Sequence, residues 1–162
     1  MRFRSLLRTS PEGRGSISGI ERFVIPLQPV KASRPPSGPG WVHEIKHDGY
    51  RMIVHRNGPI VRLYSRNAYD WTERLAAIAA AAEGINAESF TIDGEAVVVG
   101  PDGLSRFEEL SRREAARTAI LYAFDLIEHA GEDLRARPFL ERKAALARLL
   151  ASCLTNTLPK MG

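Results

Sequence analysis

Two β-prone runs, Tyr50 to His55 and Ile60 to Tyr64, flank the dipeptide Asn57-Gly58, and no other stretch restricts the fold so tightly. Asn-Gly tolerates the positive φ angles of a tight two-residue turn, so the runs are predicted to pair as an antiparallel hairpin. Phe90 to Val99, closed by the turn Gly100-Pro-Asp-Gly103, reads as a further strand, and Thr118 to Leu126 as another. Helical patterns lie between and after them. Asp70 or Thr72 is expected to cap a helix through about Ala82, with Trp71, Leu75, Ile78 and Ala82 buried and Gly84 ending it. Ser105-Arg-Phe-Glu108 has the pattern of a capping box opening a helix to about Ala116. Pro138 stands where a last helix begins, with Phe139, Leu146, Leu149 and Leu150 as its apolar stripe. Strands and helices mixed in this order, without regular βαβ crossovers, predict an α+β fold of mostly antiparallel sheets with flanking helices.

Ahead of the hairpin, Trp41 to Lys46 reads as an extended segment that brings Lys46 to a strand end beside Asp48-Gly49. A glycine there lets the backbone come close to a bulky group. Leu27 to Gly40 holds too many prolines for a helix or an inner strand and is expected to run as an extended lead-in. Ile20 to Pro26 could pair as a short strand. The expected organisation is a flexible basic arm over 1–19, a domain over 20–152 and an unpatterned tail over 153–162.

Composition narrows the chemistry. A chain of 162 residues suits one domain with a sizeable core. Cys153 is its single cysteine, which excludes an internal disulfide and a cysteine-based zinc cluster. A net charge of +4 favours an anionic partner, nucleotide or nucleic acid. No run approaches a membrane span and the basic start lacks a secretory apolar region, so a cytoplasmic location without membrane contact is expected. Neither a Gly-x-Gly-x-x-Gly loop nor a Walker loop is present. A bound nucleotide would therefore have its phosphates held by side chains, with Lys46, Arg51 and Arg66 as candidates. On the strand at Phe90 to Val99, Asp93 and Glu95 share a face and repel, which a cation beside them would relieve.

Four of these patterns occur together and in order: Glu44-Ile-Lys46-His-Asp48-Gly49-Tyr-Arg51, Ser65-Arg66-Asn67, Asp93-Gly94-Glu95 and Tyr122-Ala-Phe124-Asp125. A lone Lys-x-Asp-Gly would arise by chance in about one chain in thirty at average residue usage. The ordered set resembles the covalent nucleotidyltransferases, which include ATP-dependent DNA ligases, RNA ligases and capping enzymes. The wording around the lysine is most similar to bacterial end-joining DNA ligases, over about residues 20 to 150.

That resemblance implies a partial adenylation domain using ATP and Mg²⁺ (or Mn²⁺), forming lysyl-AMP on Lys46 and sealing nicked or broken duplex DNA in repair and recombination. A lysine amine must be neutral to attack phosphate, and free lysine near pH 7 is neutral in roughly one molecule per thousand. A site using it this way has to favour the uncharged form by burial or a nearby cation. By the same resemblance Glu44 accepts from the adenine amino group, Phe124 stacks on the ring, Arg51 and Arg66 contact ribose and phosphate, and Glu95 holds ribose or metal. Asp93 is expected to be structural. End-joining repair proteins are the implied partners, and the chain is expected to be a monomer. The family's later Glu-Gly-x-x-x-Lys and final lysine motifs do not appear in Gly131 to Gly162. A non-catalytic nucleotide- or nucleic-acid-binding remnant, and an RNA ligase or capping-type enzyme, therefore stay open as alternatives.

Overall fold

Strands β1 (Tyr50–Asn57) and β2 (Ile60–Ser65) form the expected hairpin, with Asn57 paired to Ile60 as the last rung. The turn therefore consists of Gly58 and Pro59, one residue later than the Asn-Gly pattern suggests. Proline holds its φ near −65° and cannot take the second positive angle of an Asn-Gly turn. Gly58 leads instead, with φ +56°. The computed structural model in which this is seen describes residues 23–27, 30 and 32–156.

β3 (Ser89–Val97) and β4 (Ile120–His129) complete the body of an antiparallel sheet, and β5 (Glu132–Asp133) adds a two-residue edge. The order across the sheet is β2-β1-β3-β4-β5. β5 covers only Glu128 and His129 of β4, leaving the outer edge of β4 from Ile120 to Ile127 without a neighbouring strand in the described sheet. Alternation decides the buried face. Met52 and Val54 of β1, Val61 and Leu63 of β2, and Phe90, Ile92 and Ala96 of β3 join one apolar cluster. Leu75, Ile78, Ala79 and Ala82 from α1 (Ala76–Glu83) and its lead-in, and Leu146 and Leu149 from α3 (Phe139–Asn156), belong to the same cluster. Fully burying each of the cluster's Val, Leu, Ile, Phe and Met side chains contributes about 1.5–3 kcal/mol, and its alanines less. The α+β class is as the sequence predicts.

Several local expectations are corrected. Asp70 does not cap α1: its Oδ1 accepts from the Thr72 amide at 2.8 Å, turning the chain before the helix. α1 starts only at Ala76, with no side-chain cap. At its C-terminal end Arg56 donates to Ala82 O at 3.4 Å and Glu83 O at 2.9 Å, and just past the helix to Ile85 O at 2.6 Å. Gly84 ends the helix as expected. The capping box at Ser105 does not form, because Ser105 bridges to Val99; a 3₁₀ turn (Phe107–Ser111) and a short α2 (Arg113–Ala116) replace one continuous helix.

The contacts divide the chain into two units, residues 1–46 and 47–162, and everything above belongs to the second. In the first unit, no strand or helix occurs among the described residues. Trp41 to Lys46 makes no ladder, so the extended strand expected there is not formed; polar His43 breaks the alternation a paired strand needs. Phe23 to Leu27 is likewise outside any strand, and Ile20 to Arg22 and the 1–19 arm lie outside the described residues. Helix α3 continues through Asn156, past the residue where the sequence pattern fades.

Candidate functional site

The face of the sheet opposite the apolar cluster carries the polar motifs. Arg51 and Glu95 are direct cross-strand partners on β1 and β3, and Asp93 lies one step along the same face. Arg51 grips Asp93 with both ends of its fork, Nε to Oδ1 at 3.0 Å and Nη2 to Oδ2 at 2.7 Å. The Asp93 side chain is 5% exposed and that of Arg51 23%. Burial pushes the Asp93 carboxyl above the usual aspartate range, although the Arg51 hydrogen bond and charge pull the other way. Burial works against the Arg51 charge too, but Asp93, Glu95 and Asp125 outweigh it and raise the guanidinium above its ordinary value. Arg51 is thus a cation beside this carboxylate pair, and Asp93 is the member bound to it.

Phe124 reaches the same place through an irregularity. Between Gly94↔Ala123 and Asp93↔Asp125 the register shifts, so Phe124 is the extra residue of a β-bulge. Its half-buried ring lies under Arg51, whose Cζ is 5.4 Å from the ring centroid. Helix α3 braces the bulge: Lys143 Nζ donates to the Phe124 carbonyl at 3.1 Å, and Arg142 holds Asp125.

The segment His47 to Gly49 lies on this sheet. The His47 ring stacks on Tyr122 with centroids 3.8 Å apart and planes 10° from parallel. The Gly49 amide donates to Glu95 Oε1 at 3.2 Å. A Cβ on Gly49 would stand 2.1 Å from the Ala96 carbonyl oxygen, so the room this glycine opens is filled by β3. The bulky group that comes close to this glycine is therefore the protein's own β3 backbone.

Arg51, Glu95 and Phe124 are therefore brought together. Arg66 is exposed in the turn that follows β2, one residue past the Met52↔Ser65 pair and so at the same end of the sheet as Arg51. Glu44 and Lys46 belong to the first unit, where Glu44 is half-buried, Lys46 is exposed, and both line an open hollow with His43 and Ile45. Among the described residues no group of three or more His, Cys, Asp or Glu side chains gathers as a metal cluster. Glu95 is one carboxylate at the edge of the site, which suits a hard cation that takes one or two carboxylates and keeps its other contacts to phosphate and water. Sequence reasoning missed His47, Tyr122 and Arg142. The signal for Arg142 was present: it falls on the apolar stripe of α3 between Phe139 and Leu146, where a charge must be paired.

A family model described as the ATP dependent DNA ligase domain matches residues 28–158. The chain belongs to the ATP-dependent DNA ligase domain family. Among curated relatives of this ligase domain, the multifunctional non-homologous end joining protein LigD of Pseudomonas aeruginosa is 38% identical over 146 residues, covering 86% of this chain and 17% of that protein. A probable DNA ligase of Streptomyces griseus is 39% identical over 159 residues, covering 86% of this chain and 31% of that protein. The chain thus spans less than a third of the length of these two relatives. The solved ligase domain of M. tuberculosis LigD superposes with TM-score 0.60 at 31% identity, over 67% of this chain and 36% of that one. A mycobacterial DNA ligase D complexed with ATP and MES matches with the same TM-score of 0.60.

Proposed function

We propose that this ligase-domain chain binds ATP on the Arg51–Glu95–Phe124 face and takes AMP onto Lys46 as the first step of joining DNA ends. The observation that carries the reading is the Phe124 ring lying on a bulge beneath Arg51, which is itself directly across from Glu95. A flat aromatic ring, a guanidinium and a carboxylate within one face match the base, phosphate and ribose of a nucleotide. Glu44 would accept from the adenine amino group and Arg66 would add charge at the phosphates.

In the first step the neutral Lys46 amine attacks the α-phosphorus, the N–P bond forms, the bond to the bridging oxygen breaks, and pyrophosphate leaves with one proton lost from nitrogen. A DNA 5′-phosphate oxygen then displaces the lysine, which regains its proton, and a 3′-hydroxyl attacks the activated phosphate and releases AMP. Arg51, rigidly held by Asp93, is positioned to stay in place while charge builds on phosphate oxygens. A divalent cation, Mg²⁺ or Mn²⁺, held through Glu95 would supply charge neutralisation at the phosphates. The relatives named for end joining support nicked or broken duplex DNA as substrate, end-joining repair proteins as partners, and a role in repair and recombination. A monomer acting in the cytoplasm fits this reading; no helix among the described residues is long and apolar enough to cross a membrane.

The test is incubation with α-labelled ATP and Mg²⁺ followed by a denaturing gel. An acid-labile adduct on the wild type, absent from Lys46→Ala and not formed from labelled GTP, is expected. A folded wild type that takes no label, while still binding ATP in equilibrium dialysis, would make the chain a non-catalytic nucleotide binder. Nicked duplexes of DNA and of RNA, compared for sealing, separate DNA from RNA joining.

A further inference from the structure

His47 and Gly49 are two residues apart, and they land on Tyr122 and Glu95, which are direct cross-strand partners on β4 and β3. One short segment is thus seated on two neighbouring strands at one point of the sheet. Asp48, between them, is exposed. Three kinds of contact converge: a near-parallel ring stack, a backbone amide donated to a carboxylate, and a backbone so close to β3 that only hydrogen fits on the Gly49 α-carbon. Gly49 supplies the close approach, but closeness alone leaves the segment free to peel away from its N-terminal end. The His47 ring closes that end.

We propose that His47 is a positioning residue for the lysine chemistry: its stack on Tyr122 keeps the segment through Gly49 seated on the sheet, and so fixes the point where the chain departs toward Lys46. The inference rests on the assignment of Lys46 as the residue that takes AMP. Lys46 precedes His47 by one peptide bond, and consecutive Cα atoms are about 3.8 Å apart. Freedom of the His47 backbone therefore passes directly to the lysine. Orientation of a nucleophile is worth far more than its mere presence, so a loosened departure point lowers the rate of the chemical step more than the affinity for nucleotide. Two features of the ring matter differently. Flat aromatic area makes the stack, whereas the imidazole nitrogens have no part in it, so another aromatic residue preserves the function.

The experiment compares wild type, His47→Ala, His47→Phe and Tyr122→Ala. Amide hydrogen exchange of Gly49 reads the seating directly and does not depend on enzymatic activity. His47→Ala and Tyr122→Ala are expected to speed Gly49 exchange by about tenfold, with the β1 amides of Met52 to Val54 unchanged and His47→Phe close to wild type. Label incorporation from α-labelled ATP gives the functional arm: His47→Ala lowers the maximal rate by about tenfold or more with ATP half-saturation within about twofold, and His47→Phe restores the rate. If Gly49 exchange is the same in His47→Ala as in wild type, the seating role is wrong. If exchange changes as expected but labelling at saturating ATP does not slow, the positioning role is wrong. A wild type that takes no label overturns the lysine assignment and the positioning role with it, while the exchange comparison still decides whether the stack holds the segment.

Discussion

Arg142 holds Asp125 through two parallel hydrogen bonds, Nε to Oδ1 and Nη2 to Oδ2, each 2.8 Å long. Its third donor, Nη1, reaches the Arg137 carbonyl at 2.6 Å, and the side chain is 4% exposed. The pair ties helix α3 to β4 at the residue after Phe124, so the packing of the helix and the shape of the bulge depend on each other. Asp125 holds the Arg142 guanidinium above its ordinary pKa, chiefly through that hydrogen bond.

Removing one partner of this pair should cost more than removing both. Arg142→Met strands a carboxylate against α3 and is expected to destabilise the protein by about 3 kcal/mol. The double variant Arg142→Met/Asp125→Leu should recover at least about 1 kcal/mol of that. Urea denaturation of the three proteins at one pH measures both numbers.

For Arg51→Met the pH dependence carries the information. Burial already raises the folded pKa of Asp93, and loss of Arg51 removes the two strongest lowering influences. A carboxyl with a raised folded pKa contributes most below its unfolded value, and that contribution is lost as pH rises through the folded value. The variant should therefore be destabilised by about 3 kcal/mol at pH 8 and by clearly less at pH 5. Equal losses at the two pH values would show that Asp93 is not left as a buried charge.

Gly49→Ala tests the close approach to β3. A methyl group placed 2.1 Å from the Ala96 oxygen must displace backbone. A cost of about 2 kcal/mol, or a fall in Tm of about 5 °C, is expected by calorimetry. Asp48→Ala, on the exposed residue beside it, should shift Tm much less.

Phe124 is half-buried on a bulge, so its truncation should spare the fold and harm the ligand. Phe124→Ala is expected to raise the ATP dissociation constant about tenfold, and Phe124→Tyr to leave it near wild type. Equilibrium dialysis with labelled ATP checks this, and an unchanged constant for Phe124→Ala would remove the ring from the adenine site.

The parts of the fold that were legible are those where side chains alternate against one core. β1, β3 and the stripe on α3 were readable because Met52, Val54, Ile92, Ala96, Leu146 and Leu149 face one cluster. The failures share a cause, a local signal overridden by a neighbour in space. Pro59 moved the hairpin turn by one residue, and the Val99 bridge took Ser105 away from its capping box. Trp41 to Lys46 has β-prone residues but no ladder in the described structure. Of the candidate site, the grouping of Arg51, Glu95 and Phe124 on one face was legible from motif order. The Arg51–Asp93 fork, the bulge at Phe124 and the His47–Tyr122 stack were not, because each depends on cross-strand register, which a single sequence does not display.

The short reach of β5 has a consequence for how the protein behaves in solution. From Ile120 to Ala123, β4 has no neighbouring strand on its outer side in the described sheet, with Ile120 45% and Tyr122 37% exposed, whereas farther along the Ile127 carbonyl already accepts from the Leu134 amide. Such an edge is a template for any extended strand, including the same edge of another molecule. Lys143, bound to the Phe124 carbonyl, sets a positive charge in the path of that pairing, and two copies approaching edge to edge bring two such charges together. At this strand, added salt screens Lys143 and the net charge of +4 and so weakens the repulsion between two such edges.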